Sequence, residues 1–302
     1  MAKSNLVHKS VLLKESINFL HIESKARYID ATLGVGGHSI EILRRGGKLL
    51  GIEQDPEILK IAQKNIRLAC PATEKNSRWF YKLVQGNFKN VRSIAQENGF
   101  DPCQGILADL GISSLHYEQS GRGFSFNKPD EPLDMRLDPK VQAVKASDLL
   151  NSLGKKDLVD TFEFVMGKAL AKWLAYEVIK AREKKKIEKV GDLLRIVQRL
   201  HLRPKDIHPA TKPFMALRIR VNSELENLSI FLPNAFELLV KGGRMAIISF
   251  HSAEDRIVKR FSKAYAESLK VLTRKPVFPS SREIKENPRS RSARLRVFEK
   301  II

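Results

Sequence analysis

The run Tyr28-Ile29-Asp30-Ala31-Thr32-Leu33-Gly34-Val35-Gly36-Gly37-His38, followed by Leu49-Leu50-Gly51-Ile52-Glu53-Gln54-Asp55-Pro56, constrains the fold more than any other part of the chain. It reads as an apolar strand, a glycine loop that opens a helix, and a second strand ending in an acid. Gly34, Gly36 and Gly37 lack a Cβ, so backbone N–H groups there can approach a ligand at the start of the next helix. Glu53 follows Gly37 by sixteen residues, close to the interval at which Rossmann-like folds hold a ribose diol. A glycine cluster alone marks no more than a strand-to-helix turn. With the strand, the acid and Asp55-Pro56 in register, the pattern points to a nucleotide-type cofactor pocket.

The alternation continues. Strands are expected at 27–33, 48–53, 81–86 and 104–110, with helices at 38–45, 56–69 and 88–98, which is the pattern of a parallel sheet covered on both faces. From Ser113 to Pro209 it stops: a polar, Gly- and Pro-containing loop leads into helical segments at 155–165, 168–187 and 190–200, read as an insertion. The sheet pattern resumes with a helix at 213–240, opened by Thr211 and closed by Gly242-Gly243. A buried strand over Arg244–Phe250, a helix at 253–270 and a last strand at 293–299 complete it. The expected architecture is α/β and Rossmann-like, with a mostly parallel seven-stranded sheet made from 1–112 and 210–302 and an all-helical domain over 113–209.

Charge narrows the partners. The chain has 302 residues and a net charge of +20, from 54 Lys and Arg against 34 Asp and Glu. Such an excess attracts a polyanion, nucleic acid first and an anionic membrane surface second. No run of about eighteen apolar residues and no apolar segment after Met1 is present, so a cytoplasmic protein with no membrane partner is expected. Cys70 and Cys103 form no CxxC pair, which argues against a disulfide framework or a structural zinc; no metal is expected.

In open parallel sheets ligands bind beyond the carboxyl ends of the strands. The loops to inspect are therefore 34–38, 53–56, 87–88, 109–126 and 249–255. Asp109-Leu110-Gly111-Ile112-Ser113-Ser114 offers an acid and hydroxyls that can accept hydrogen bonds from an amino group; alone it would equally suit a helix cap. Arg122-Gly123-Phe124-Ser125-Phe126 joins a cation to two aromatics, a loop that can stack on an unpaired base or anchor itself in the core. His251 follows the strand at 244–250 and opens a helix, as a capping residue or a catalytic one. Ten Lys or Arg against three acids between 270 and 300, with Arg289, Arg291, Arg294 and Arg296, suggest a phosphate-contacting tail.

Taken with Gly36-Gly37-His38-Ser39, Pro132-Leu133-Asp134-Met135-Arg136, His208-Pro209-Ala210-Thr211, Arg218-Ile219-Arg220-Val221-Asn222-Ser223-Glu224-Leu225, Ile248-Ser249-Phe250-His251-Ser252 and Asn287-Pro288-Arg289-Ser290-Arg291-Ser292, these segments resemble the RsmH/MraW family from His8 to Arg296. Its members are S-adenosylmethionine-dependent methyltransferases that modify N4 of a cytidine in the decoding region of bacterial 16S ribosomal RNA. The resemblance implies that Gly36, Gly37 and His38 bind the methionine end of the cofactor, Glu53 the ribose and Phe88 the adenine, with Asp109 and His116 completing the pocket. It also implies a helical domain inserted in the methyltransferase sheet, and 16S rRNA or the small ribosomal subunit as partner. Oligomeric state is left open, a homodimer included.

Three positions depart from the family pattern. The ribose acid is usually Asp and is Glu53 here, one methylene longer. His116 stands where Gln is usual, which makes that contact pH-sensitive. Gly167-Lys168-Ala169 replaces a Gly-Glu-Glu segment and loses two acids. Methyl transfer to an amine needs alignment and acceptors for the amino hydrogens, roles assigned to Asp109, Ser113 and His251. C5 methylation would need a cysteine, and Cys103 lies six residues before Asp109, roughly 20 Å along a strand. Two other functions share the pattern: a nicotinamide-dependent oxidoreductase, and a non-catalytic RNA-binding or ribosome-assembly factor.

Overall fold

The computed structural model describes residues 9–71, 80–199 and 208–302; His8 and position 200, the last of an expected helix, lie outside them. The chain divides into two compact units, 1–112 with 225–302 and 113–224. The expected boundary after Pro209 falls inside the second.

The first unit is built on seven strands: β1 (Arg27–Asp30), β2 (Lys48–Glu53), β3 (Tyr81–Gln85), β4 (Cys103–Asp109), β5 (Leu239–Ser249), β6 (Leu269–Val271) and β7 (Arg294–Lys300), in the order β3-β2-β1-β4-β5-β7-β6. β1 to β5 run parallel and β7 is antiparallel to β5 and β6. This is the expected Rossmann-like methyltransferase sheet, and the order reverses beside β1, where β1 and β4 diverge toward opposite edges. Its helices before the second unit are α1 (Leu13–Leu20), α2 (Gly37–Arg44), α3 (Pro56–Ala69) and α4 (Val91–Asn98).

The apolar strands explain the layering. Ile29, Leu50, Ile52, Ile106 and Ile247 fill one core with Phe100, while Tyr28, Leu49, Ile42 and Ile66 form another. Gly105 is a strand glycine for a packing reason: a Cβ there would lie 2.8 Å from the Tyr28 ring. Asp55 caps α3 by accepting from the Glu57 N–H at 2.8 Å with Pro56 at the first turn, as Asp-Pro should.

The second unit is helical: α5 (Ser114–Gln119), α6 (Ala146–Ser152), α7 (Lys155–Met166), α8 (Lys168–Arg182), α9 (Val190–Val197) and α10 (Thr211–Val221). Back in the first unit follow α11 (Glu224–Leu238, entered from Glu224 of the second), α12 (Ser252–Ala264) and α13 (Ser281–Glu286).

Four expectations need correction. The helix at 213–240 is two helices, broken at Asn222-Ser223, where Ser223 takes a φ of 50°. Gly242-Gly243 does not close a helix: it lies within β5, where the register shifts between Cys103↔Leu239 and Gly105↔Arg244 and the extra residues loop out. The helix expected to reach 270 ends at Ala264, leaving Leu269–Val271 to pair at the sheet edge. Arg294 and Arg296 belong to a strand and not to a tail. Arg296 donates to both oxygens of Asp255, at 2.6 and 3.3 Å, with Arg294 3.7 Å away.

Candidate active site

Four chain segments of the sheet unit meet at the carboxyl ends of β1, β2, β4 and β5. After β1 the backbone turns through Gly34 (φ 53°) and Gly36 (φ 93°) into α2. A Cβ on Gly36 would lie 3.1 Å from the Ile66 side chain, and one on Gly37 would land on the Ser10 hydroxyl, 1.9 Å away. Only glycine fits both the dihedral and the space.

Glu53, at the end of β2, holds this loop. One of its oxygens accepts the Gly34 N–H and the other the Asp55 N–H, both at 2.9 Å. Burial, with the nearby Asp55 charge, lifts its pKa to about 7. The longer Glu side chain thus reaches back to the loop backbone, which leaves each oxygen a further lone pair for a hydroxyl donor.

Asp30 ends β1 and is fully buried. It accepts the Ser39 hydroxyl at 2.7 Å and the Thr32 N–H at 3.3 Å, and burial raises its pKa to about 6. Thr32 in turn accepts the Asp109 N–H at 2.6 Å. Asp109, at the end of β4, has one carboxyl oxygen 3.9 Å from His38 Nδ1 and the other buried with no hydrogen-bond partner. Burial first, then the charges of Asp30, Glu254 and Glu283, push its pKa well above the ordinary carboxylate value. His38 is buried in the first turn of α2, its Nε2 3.1 Å from the Val11 carbonyl.

His251 is the N-cap of α12. Its Nδ1 accepts the Glu254 N–H at 3.4 Å, while a Glu254 oxygen accepts the Phe250 and His251 N–H groups at 2.8 and 3.2 Å. The His251 Nε2 is buried 3.2 Å from Glu254 Oε1 without the alignment of a hydrogen bond. The capping reading of His251 therefore holds, with one ring nitrogen to spare. Phe88 begins the 3₁₀ turn before α4 and packs edge-on to Phe231 at 5.2 Å.

Ser113 and His116 belong to the helical unit. Ser113 caps α5 through the Leu115 N–H at 3.4 Å, and the buried His116 ring lies 5.3 Å from Phe124 with Nδ1 3.3 Å from the Ser113 carbonyl. The loop at 122–126 corrects the stacking expectation in part: Phe124 is buried, and the Arg122 guanidinium donates to the Arg136 and Leu137 carbonyls at 2.8 Å. Gly123 is required there because a Cβ would strike the Pro132 carbonyl oxygen at 2.3 Å. Phe126 lies flat against His208 at 4.6 Å.

Within the sheet unit, then, the structure links Gly36, Gly37, His38, Glu53 and Asp109 through one backbone turn and its neighbours. Asp30, Thr32, Ser10 and Val11 are contacts the sequence did not single out as functional. A glycine-walled turn, a carboxylate tied to its backbone and a buried, unpartnered Asp109 oxygen fit a ligand bearing hydroxyl or cationic N–H donors. Among the described residues no helix is long and apolar enough to cross a membrane.

Residues 5–301 match the model of the MraW methylase family. A ribosomal RNA small subunit methyltransferase H from Dictyoglomus thermophilum is 43% identical over 303 residues, covering 99% of each chain. A protein of the same name from Acetivibrio thermocellus is 39% identical over 317 residues, covering 97% of this chain and 99% of its own. These matches favour methyl transfer over nicotinamide chemistry or a non-catalytic role for the same pocket, and they establish that the chain belongs to the MraW methylase family.

Proposed function

We propose that this methylase transfers the methyl group of S-adenosylmethionine to the exocyclic N4 of a cytidine in the decoding region of 16S ribosomal RNA, in the cytoplasm. The rRNA substrate is supported by the relatives' names and the +20 charge; the N4 position rests on the family resemblance. The observation that carries the chemistry is the buried, unpartnered carboxyl oxygen of Asp109 at the end of β4.

In this reading Gly36, Gly37 and His38 hold the methionine end, Glu53 the ribose and Phe88 the adenine, with Asp109 and His116 completing the pocket. The bound cofactor supplies an electrophilic methyl on a sulfonium. The protein's own task is alignment, because the N4 lone pair is delocalised into the ring and makes a weak nucleophile. Asp109 accepts an amino N–H, which favours a more tetrahedral nitrogen and concentrates its lone pair; Ser113 and His251 are the further candidates to orient the amine. Covalent attack on the ring would need a thiolate, and Cys103 is buried at the far end of β4 with its thiol pushed up by burial. The target base must leave its stack to be reached, which suits a single-stranded or loop RNA.

The test is labelled methyl transfer by the purified protein to naked 16S rRNA and to small subunits, followed by nucleoside mass spectrometry. N4-methylcytidine at one position is expected. Methylation at carbon 5, or none on either substrate, would overturn the reading and favour a non-catalytic assembly role.

A further inference from the structure

Catalysis of amine methylation leaves a proton to dispose of, and the sheet unit contains a route for it. A carbonyl oxygen can only accept, so the contact between His38 Nε2 and the Val11 carbonyl at 3.1 Å requires the hydrogen on Nε2. Val11 is itself fixed, because the next N–H, that of Leu12, donates to Glu283 Oε1 of α13 at 2.8 Å. The neutral His38 ring therefore carries its lone pair on Nδ1, the atom 3.9 Å from Asp109 Oδ2. Two acceptors facing each other in a buried site favour a proton between them.

We propose that His38 is a positioning residue for methyl transfer, holding with Asp109 a shared proton site that takes the proton lost by the amine. This rests on the function proposed above. As the new N–C bond forms, the C–S bond breaks and its electron pair leaves with sulfur, making a neutral thioether. The amine nitrogen, then cationic, releases one N–H proton to the Asp109 carboxylate. Asp109 passes it to His38 Nδ1, and the imidazolium is stabilised between the Val11 carbonyl and the regained carboxylate until the proton leaves to solvent. The groups bearing on this pair are Asp30 from β1, Glu254 from α12 and Glu283 from α13, all of which raise the proton affinity of Asp109.

Two measurements test it. In the full-length protein labelled with ¹⁵N-histidine, His38, assigned by the signal lost in His38→Gln, should be an Nε2–H tautomer when neutral. Asp109→Asn should shift its titration midpoint down by at least about one pH unit, since a carboxylate neighbour favours the charged ring. An Nδ1–H tautomer, or a midpoint indifferent to Asp109→Asn, overturns the shared site whether or not the variant is active. His38→Gln retains an N–H for the Val11 carbonyl but has no basic nitrogen. It should slow single-turnover transfer at least about tenfold at saturating cofactor, with cofactor Kd within about threefold. Weakened cofactor binding with an unchanged saturated rate would reduce His38 to a binding residue. If the wild-type protein methylates no rRNA, the proposed function fails, while the NMR arm still decides whether the proton is shared.

Discussion

In the helical unit Arg136 grips both oxygens of Asp134, at 2.6 and 2.7 Å, and Arg218 grips both oxygens of Glu224, at 2.8 and 2.9 Å. At the carboxyl ends of the sheet, Asp30, Glu53 and Asp109 are served by backbone N–H groups, by the Ser39 hydroxyl or, in the case of one Asp109 oxygen, by nothing; among the described residues no Lys or Arg pairs with them. The Arg136 fork holds Asp134 below the ordinary carboxylate value despite its burial, whereas burial pushes the three sheet acids up. A buried acid without a cation costs stability, and a cluster of them beside a glycine turn is the signature of a site kept for chemistry. The arginine forks of the helical unit instead tie loops: Arg136 also donates to the Gln142 carbonyl at 2.9 Å, and Asn222 donates to the Met135 carbonyl at 2.8 Å, holding Met135 at a φ of 61°.

Substitutions in the two regions should therefore fail differently. The largest effect is expected from Asp109→Ala, which should lower single-turnover methylation by at least about 100-fold while leaving RNA affinity, measured in parallel at one stated salt concentration, within about threefold. A saturated rate equal to wild type would confine Asp109 to cofactor binding and pass the amine-orienting role to Ser113, His251 or the backbone. Gly36→Val comes next: it adds a branched Cβ at a φ of 93° against Ile66, and cofactor binding by calorimetry should weaken by more than about tenfold. Near-normal binding would remove the glycine turn from the pocket. Glu53→Ala should cost about 1–3 kcal/mol of cofactor affinity, part of it through the released Gly34 and Asp55 N–H groups. A folded variant with unchanged affinity would take Glu53 out of the site.

Asp134→Asn is expected to do the reverse, lowering stability by about 1–3 kcal/mol while leaving cofactor affinity alone. The signs with pH also oppose. Asp134, depressed in the folded state, contributes stability that is present above its unfolded value and lost as pH falls through the folded one. Glu53, raised from 4.5 to about 7, contributes stability present below 4.5 and lost as pH rises through about 7. Thermal melts of Asp134→Asn and Glu53→Gln across pH should therefore flatten opposite limbs of the wild-type curve. Two variants that flatten the same limb would erase the distinction between the regions.

The strand, glycine turn and acid were legible because each is a local pattern: apolar runs of strand length, Gly36 at a positive φ, Asp55-Pro56 at a helix start. The start of β5 was not, since Leu238-Leu239 continues an apolar run that suits a helix end and a buried strand equally. Nor was the break at Asn222-Ser223, where no Gly or Pro interrupts the helical period. β6, at three residues, is too short to carry a period at all. In the site, Glu53 and Asp109 stood out as strand-end acids. Thr32 and Val11 act through a hydroxyl and a carbonyl on groups 77 and 27 residues away, contacts that only the folded backbone creates. Arg296 looked like a phosphate ligand because its burial against Asp255 has no sequence signal.

The central claim, that the sheet acids are kept without cations so that Asp109 can act on a proton-bearing amine, is tested most directly by the pH dependence of single-turnover transfer by the wild-type protein. With cofactor and RNA both saturating, the rate should rise with pH between about 5.5 and 9, through a step well above the ordinary carboxylate range, as Asp109 loses its proton. A rate that is flat across that window, with RNA binding unchanged, would mean that Asp109 is ionised throughout and that its burial does not serve the reaction.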